Sequence, residues 1–270
     1  MLSPAEVVKA CEQNYIDYWR SVGRSANAEF SEEGGITRCI TGLPQEIFNV
    51  VLMCSLSEND LDRRIDSMIA HFRLRRLNLI WHVGLLTEPR DLGLHLEARG
   101  HPHDYDLTAM AIDLDSPNVL PQGSDRIVVK TVSSKEESEI WIKSLTQSWE
   151  SPAEVSPWMH GNACFNTSLE RDVRLPLPRR NYLGFLDGEP TGASMLFWSG
   201  DIAGLQCVGT VQSGRRRGVG EAVVRAALAD AQEMGFRFVV VLSTVEGVSL
   251  YQKTGFRAFG KLPEHSMDFR

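Results

Sequence analysis

What this 270-residue chain lacks narrows its role before any motif is read. Cysteines are few. Cys11, Cys39, Cys54, Cys164 and Cys207 are odd in number, widely spaced and include no Cys-x-x-Cys pair, which argues against a disulfide framework and a zinc cage. Long apolar runs are missing too, since no window approaches the roughly 18 residues needed to span a bilayer. Met1 to Glu6 holds no basic stretch ahead of an apolar one, so no membrane partner and a cytoplasmic location are expected. Nor is there an excess of positive charge. The formal charge of -7 argues against a surface that is wholly a nucleic-acid footprint, and leaves room only for a local basic patch.

What is present is ordinary folded-protein composition, with 43% hydrophobic and 23% charged residues, far from the signature of disorder. The length suits one large domain or two of about 100 to 150 residues. Asp115 to Ser124 (DSPNVLPQGS) is the clearest seam, with two prolines, a glycine and small polar residues. The expected division is therefore 1–118 and 119–270.

After the seam, Arg126 to Val132 alternates as a strand, and Ser133 or Ser134 can cap a helix whose Glu136 and Glu137 suit its positive N-terminal end. Glu150 to Arg180 carries four prolines and reads as helix fragments and loops. Tyr182 to Leu186, Ala193 to Trp198 and Ile202 to Val211 are strand-like and joined by turns at Asp187-Gly188 and Ser199-Gly200-Asp201, an antiparallel meander. From Gly218 to Met234 the apolar spacing becomes helical, through Val219, Val223, Val224, Ala227, Leu228 and Ala231, and Gly235 can terminate it. Phe236 to Leu242 is a buried-strand run, followed by a short helix to Thr254 and a last strand from Phe256.

The first half repeats that closing order. Phe48 to Leu56 reads as strand, Ser57 to Arg76 as helix, Leu77 to Val83 as strand, Pro89 to Arg99 as helix and Tyr105 to Leu114 as strand. Gly100-His101 holds the place that Gly255-Phe256 holds later, and an internal duplication is the simplest account.

The run from Val208 to Gly220 (VGTVQSGRRRGVG) leaves a strand and enters a helix. Exposed N–H groups at a helix start, with the positive end of the helix dipole, make a polyphosphate site, and Arg215, Arg216 and Arg217 add charge. It is not a Walker loop, because no Gly-Lys-Ser/Thr follows, nor a dinucleotide fingerprint, because a meander precedes it. The pattern Arg215-x-x-Gly218-x-Gly220 resembles the Gln/Arg-x-x-Gly-x-Gly/Ala motif of GNAT acetyltransferases, and Leu250-Tyr251-x-x-x-Gly255-Phe256 resembles that family's Leu-Tyr-x-x-x-Gly-Phe signature. Three positions depart from the family pattern: Gln212 replaces a common proline, Gly214 an aromatic or alanine, and Arg216 a common glycine. The resemblance covers residues 125 to 265 well, and the first half is similar to the degenerate domain of tandem members. It implies an α/β (α+β) fold of two tandem GNAT-like domains, each a mixed, mostly antiparallel sheet flanked by helices.

The resemblance further implies acetyl-coenzyme A, or another acyl-coenzyme A, as co-substrate and no metal. Pantetheine would lie along Gln206 to Val211, with Val208 or Gly209 offering an oxyanion amide. The amides from Arg215 through Gly218, Val219, Gly220 and Glu221 would hold the pyrophosphate, Thr244 would contact the coenzyme, and Tyr251 would be the general acid. Glu246, Asp201, His160 and His82 are candidates for the base, with Glu246 carried as the leading one. His101-Pro102-His103 lacks a third ligand at metal spacing. The first half's helix start, Leu56 to Asp60, has no glycine and carries acid, so coenzyme binding is not expected there.

The expected acceptor is a small-molecule primary amine. Three alternatives stay open: an aminoacyl-tRNA-dependent transferase using Arg171 to Arg180 with Arg215 to Arg217, a non-catalytic acyl-coenzyme A sensor or scaffold, and acetylation of proteins, N-termini included. Oligomeric state is open as well, a homodimer included.

Overall fold

A computed structural model describes residues 3–115, 126–167 and 177–269. All but Asp115 of the expected seam, Asp115 to Ser124, and the cations Arg171 and Arg174 lie outside the described residues. The chain opens with helix α1 (Pro4–Val22), then β1 (Glu29–Glu33), β2 (Ile36–Ile40), β3 (Asn49–Cys54), α2 (Glu58–Arg75), β4 (Leu79–His82), α3 (Leu92–Glu97) and β5 (His103–Asp113). The second half runs β6 (Ile127–Thr131), α4 (Lys135–Ser148), α5 (Val155–His160), β7 (Arg179–Leu186), β8 (Glu189–Ser199), β9 (Ile202–Thr210), α6 (Val219–Glu233), β10 (Phe238–Ser243), α7 (Val248–Lys253) and β11 (Arg257–Met267). Every element expected from the sequence is there. Helix α1 and strands β1 and β2 come in addition.

Local chemistry accounts for the boundaries. Ser3 and Glu6 form a capping box ahead of α1, with Pro4 at its first turn. Asp187 and Gly188, at φ 52° and 88°, make the two-residue β7–β8 turn, both central residues left-handed as the twist of a hairpin demands. Gly218 caps α6 at φ 90°, and past its end Gly235 sits at φ 84° with Phe236 N–H bonded to the Ala231 carbonyl at 3.0 Å.

The strands of the described residues form one eleven-stranded sheet in the order β1-β2-β3-β4-β11-β5-β10-β9-β8-β7-β6. The two halves do not keep separate sheets. The last strand of the second half, β11, lies between β4 and β5 of the first, and the last strand of the first half, β5, lies between β10 and β11 of the second. Each half completes the other by an antiparallel exchange. The parallel pair β3–β4, joined through α2, repeats the parallel pair β9–β10, joined through α6, as the duplication predicts.

Helices α1, α4 and α5 cover one face, burying Trp19, Val22, Trp141, Leu145 and Met159 against Val50, Leu52, Ile80 and Met195. On the other face α2 and α3 pack on Val51, Leu79 and Trp81, while α6 packs Val224, Ala227 and Leu228 on Leu196, Leu205 and Val239. Helix α1 belongs to the first half by sequence, yet its N-terminal part packs on Ala109, Ala111 and Val240 in the middle of the shared sheet.

Because the halves share strands, damage to one should destabilise both. Trp81 is fully buried in the first half, so Trp81→Ala should cost about 3–5 kcal/mol. Circular dichroism and tryptophan fluorescence should still report one coincident melt, and two separated transitions would contradict a cooperative sheet.

Candidate active site

Strands β9 and β10 pair only through Ala203–Val239 and Gly204–Val240 before diverging. A bulge helps them part: β9 places Gln206 opposite Met195 but Gly209 opposite Ala193, one residue more than β8, and Cys207 takes the left-handed φ of 52°. Sheet sterics reserve that conformation mainly for glycine, so Cys207 marks a locally imposed backbone. The gap opens on a cavity of about 470 Å³.

One end of the cavity is lined by Cys207, Val208, Thr244, Leu250 and Tyr251. Leu205, Gln206 and Gly247 complete that side, and Trp149 and Phe165 add aromatic wall. The first half closes the remainder with Tyr15, Tyr18 and Trp19 of α1, Ile47 and Phe48, Ile80 of β4 and Tyr105 of β5. Among the described residues Glu264 of β11 is the one carboxylate in the lining, and its residue is 2% exposed.

Beside the gap, α6 begins. The amides of Arg216, Gly218, Val219, Gly220 and Glu221 have no acceptor among the described residues, as expected of a helix start left open for an anion. The donor row is narrower than the motif suggests: Val211 N–H goes to the Thr191 carbonyl at 2.9 Å, Arg215 N–H to Gln212 at 3.3 Å and Arg217 N–H to Gly214 at 3.3 Å. The three glycines have different jobs. Gly218 supplies the left-handed cap, whereas a Cβ on Gly209 would stand 1.9 Å from Ser148 Oγ and one on Gly220 3.0 Å from Thr210 Oγ1, so those two serve close packing.

The arginines also divide. Arg215 donates through Nε to the Thr210 carbonyl at 3.2 Å and through Nη2 to the Ser148 carbonyl at 3.1 Å, tying the loop to the end of α4. Arg217 meets Asp187 at 3.2 Å, a carboxylate that also holds Arg126. Arg216 is exposed at φ 60°. The charge expected of all three therefore reaches the loop mouth chiefly through Arg216.

Tyr251 is 6% exposed, packs edge-on to Phe256, and its hydroxyl has no hydrogen-bond partner among the described residues. Burial, with Cys207 nearby, raises its phenol well above the ordinary tyrosine range, so it carries its proton at neutral pH. Burial likewise pushes the Cys207 thiol up to about 12, although it accepts or donates a 3.3 Å contact with Tyr18 Oη. A thiolate nucleophile is thereby disfavoured.

The base candidates scatter. Glu246 is exposed and outside the cavity lining; Asp201 sits in the β8–β9 turn, at the closed end of the diverging pair; His160 Nδ1 is 3.0 Å from the Ser156 carbonyl on another surface. His82 is buried on β4, its Nδ1 2.6 Å from Glu264 Oε1. The sequence reading missed Glu264, Tyr105 and the aromatic residues of α1. A Ser-Pro-x-Glu cap before an apolar-periodic run was the available signal for α1; nothing local marks Glu264, because strand exchange brings it in.

His103 Nε2 is engaged by Asp106 at 2.9 Å and the His101 carbonyl accepts from His265 Nδ1 at 3.0 Å. Among the described residues, no group of three or more histidine, cysteine or acidic side chains is placed to hold a metal, and no helix is long and apolar enough to cross a membrane.

A bulged strand diverging from its parallel neighbour, an open helix start beside the gap and a buried tyrosine thus meet at one edge of the cavity. Residues 142–256 match the acetyltransferase (GNAT) family, whose members generally transfer acyl groups from acyl-coenzyme A. No curated protein matches the sequence. Among solved structures, a GCN5-related N-acetyltransferase from Kribbella flavida is similar with TM-score 0.67 at 14% identity over 95% of each chain. One from Sphaerobacter thermophilus has TM-score 0.63 at 15% identity over 100% of this chain and 94% of its own. A tandem GNAT protein from the clavulanic acid biosynthesis pathway has TM-score 0.58 at 14% identity over 100% and 97%. The fold is thus that of tandem GNAT proteins.

The His82–Glu264 pair predicts a pH dependence of stability. Burial by itself would depress His82, but the charge and hydrogen bond of Glu264, with Glu12 of α1 behind them, outweigh it and raise its pKa. Burial raises Glu264 too, only partly offset by His82 and His265. A raised folded-state pKa contributes stability that is complete below the unfolded value, about 6.5 for histidine, and is lost as pH rises through the folded value. Tyr15, 5.7 Å from the His82 ring, is the other titratable neighbour from α1. Thermal midpoints by calorimetry should therefore fall with rising alkaline pH more steeply in the wild type than in His82→Gln; parallel curves would remove the pair from the account.

Proposed function

We propose that this protein is an N-acyltransferase that moves an acetyl group from acetyl-coenzyme A to the primary amine of a small-molecule acceptor by direct attack in a ternary complex. The single observation that carries this reading is the set of unpaired amides of Arg216 and of Gly218 to Glu221 standing beside the β9–β10 gap. In this reading residues 119–270 hold the donor, and residues 1–118 form a degenerate half that shapes the acceptor chamber. In that half, Ser57 caps α2 with its carbonyl taken by the Asp60 and Leu61 amides, and Glu58 and Asp60 occupy the first turn, an arrangement that repels a pyrophosphate.

Acetyl-coenzyme A, as co-substrate, supplies the thioester-activated acetyl group. The amides of Gly218, Val219, Gly220 and Glu221 hold its pyrophosphate, Arg216 adds charge, and Val208 and Thr244 flank its reactive end. The N–H of Val208 or Gly209 meets negative charge as it develops on the carbonyl oxygen, a fixed dipole in a site with little water. Tyr251 keeps a proton for the departing sulfur. The aminoacyl-tRNA alternative is less well supported: Arg179 is turned inward onto the carbonyls of Cys164 and Ala163 at 2.5 and 2.6 Å, and Arg180 is paired with Asp230 at 2.7 Å.

Two variants test the reading. Gly218→Glu sets charge and bulk against the pyrophosphate and should abolish acetyl-coenzyme A binding in titration calorimetry. Gly218→Ala bears the same left-handed strain, about 1–2 kcal/mol, without the charge, and should keep binding. Equal affinity in the glutamate variant would contradict the donor site. Tyr251→Phe should lower kcat by about 10²- to 10⁴-fold while donor affinity holds; an unchanged kcat would take Tyr251 out of the mechanism.

A further inference from the structure

The cavity is longer than the chemistry at its mouth requires. Strands β9, β10, β5 and β11 are consecutive neighbours, so Glu264 lies three interstrand steps from Cys207, roughly 14 Å at about 4.8 Å per step. Register adds to this. Glu264 is opposite Tyr105, whereas Ser243 of β10 is opposite Thr108, which displaces Glu264 along the strands by about 10 Å. A glutamate side chain does not bridge that separation, so Glu264 cannot take a proton directly from an amine attacking at the β9–β10 gap. It nevertheless lines the same cavity, almost fully buried, at the end closed by the first half.

Its surroundings are built for recognition. His82 Nδ1 occupies Oε1 at 2.6 Å, and Oε2 has no partner among the described residues. Tyr15 of α1 and Tyr105 of β5 are close enough for the Glu264 charge to raise both phenols beyond what burial alone does. Between this end and Tyr251 the wall is apolar and aromatic, with Leu107, Trp19 and Phe165. Such a chamber favours a molecule with an apolar body and a hydrogen-bond donor at its far tip. An acceptor ending in a methyl group would bury Oε2 without a partner, a mismatch that sites of this kind discriminate against strongly.

We propose that Glu264, held by His82 across the junction of the two halves, is the acceptor-selecting residue, and that it selects elongated primary amines whose end distal to the reacting nitrogen carries a hydrogen-bond donor, an ammonium or a hydroxyl. This deepens the transferase reading and rests on it only for which end of the acceptor reacts. Glu264 is a specificity residue, fixed in place by His82, and plays no part in proton transfer at the thioester.

Three probes of one length test it: octylamine, its ω-hydroxy analogue and its ω-amino analogue. Binding to the full-length wild-type protein, measured by calorimetry without coenzyme, should favour both ω-substituted amines over octylamine by about tenfold or more. Glu264→Gln, of nearly unchanged size, should lose the preference for the ω-amino probe and retain part of that for the ω-hydroxy probe. In turnover assays with acetyl-coenzyme A, the variant should show raised KM for the ω-amino probe with kcat preserved. The ratio of the two ω-substituted probes tells whether charge or a neutral donor is preferred. Equal wild-type affinity for all three, or an equal loss for all three in Glu264→Gln, would overturn the proposal and leave Glu264 a structural residue. Failure of the donor site reads out separately: if acetyl-coenzyme A does not bind, the transferase reading fails, while the coenzyme-free affinities still decide the selectivity of the chamber.

Discussion

The exchange of β5 and β11 is the constraint on which the rest of the molecule depends. Each of these strands is flanked on both sides by strands of the opposite half, so the central four positions of the sheet, β4-β11-β5-β10, alternate in origin. Hydrogen-bond ladders and core packing then tie the halves more tightly than a docked interface of two finished domains would. The β9–β10 gap inherits a rigid floor from this arrangement, because β10, which diverges from β9, is fully paired along β5. Divergence on one edge is tolerated because the other edge is secured.

The same exchange converts the first half from a duplicate into a wall. Its α2 begins with serine and acids where α6 begins with glycines, and its α1 is drawn across the middle of the shared sheet to cover the cavity with Tyr15, Tyr18 and Trp19. Buried ionisable groups follow the junction. Glu12 of α1 accepts the amides of Leu85 and Leu86, and Glu264 meets His82, so two carboxylates kept out of water are each matched by donors from other elements.

Much of this was legible in the residues. The meander, the loop at Arg215 to Gly220, the α6 periodicity and the Leu250-Tyr251 to Gly255-Phe256 signature are local patterns, and local patterns specify turns, caps and helix faces. The duplication was legible for the same reason, element by element. Side-chain commitments were not: whether Arg215 faces a phosphate or the Ser148 carbonyl depends on where α4 ends, and whether Gly209 admits a ligand or Ser148 depends on a neighbour far along the chain. The end of the cavity that holds Glu264 was least legible. Glu264 sits in an ordinary-looking strand, and its meaning comes only from lying beside β4 and β5.

One consequence concerns the order in which the molecule can assemble. His82 and Glu264 are 182 residues apart in sequence, yet they touch, and β4 has no neighbour on that side until β11 arrives. The sheet of the first half is therefore completed only by a strand of the second. The first half must wait, its strand edge and apolar face uncovered, for the whole of the second to be made, and such high contact order slows the search and prolongs exposure to wrong pairings. The interval before β11 is threaded home is the one in which the unpaired edge of β4 is most open to mispairing.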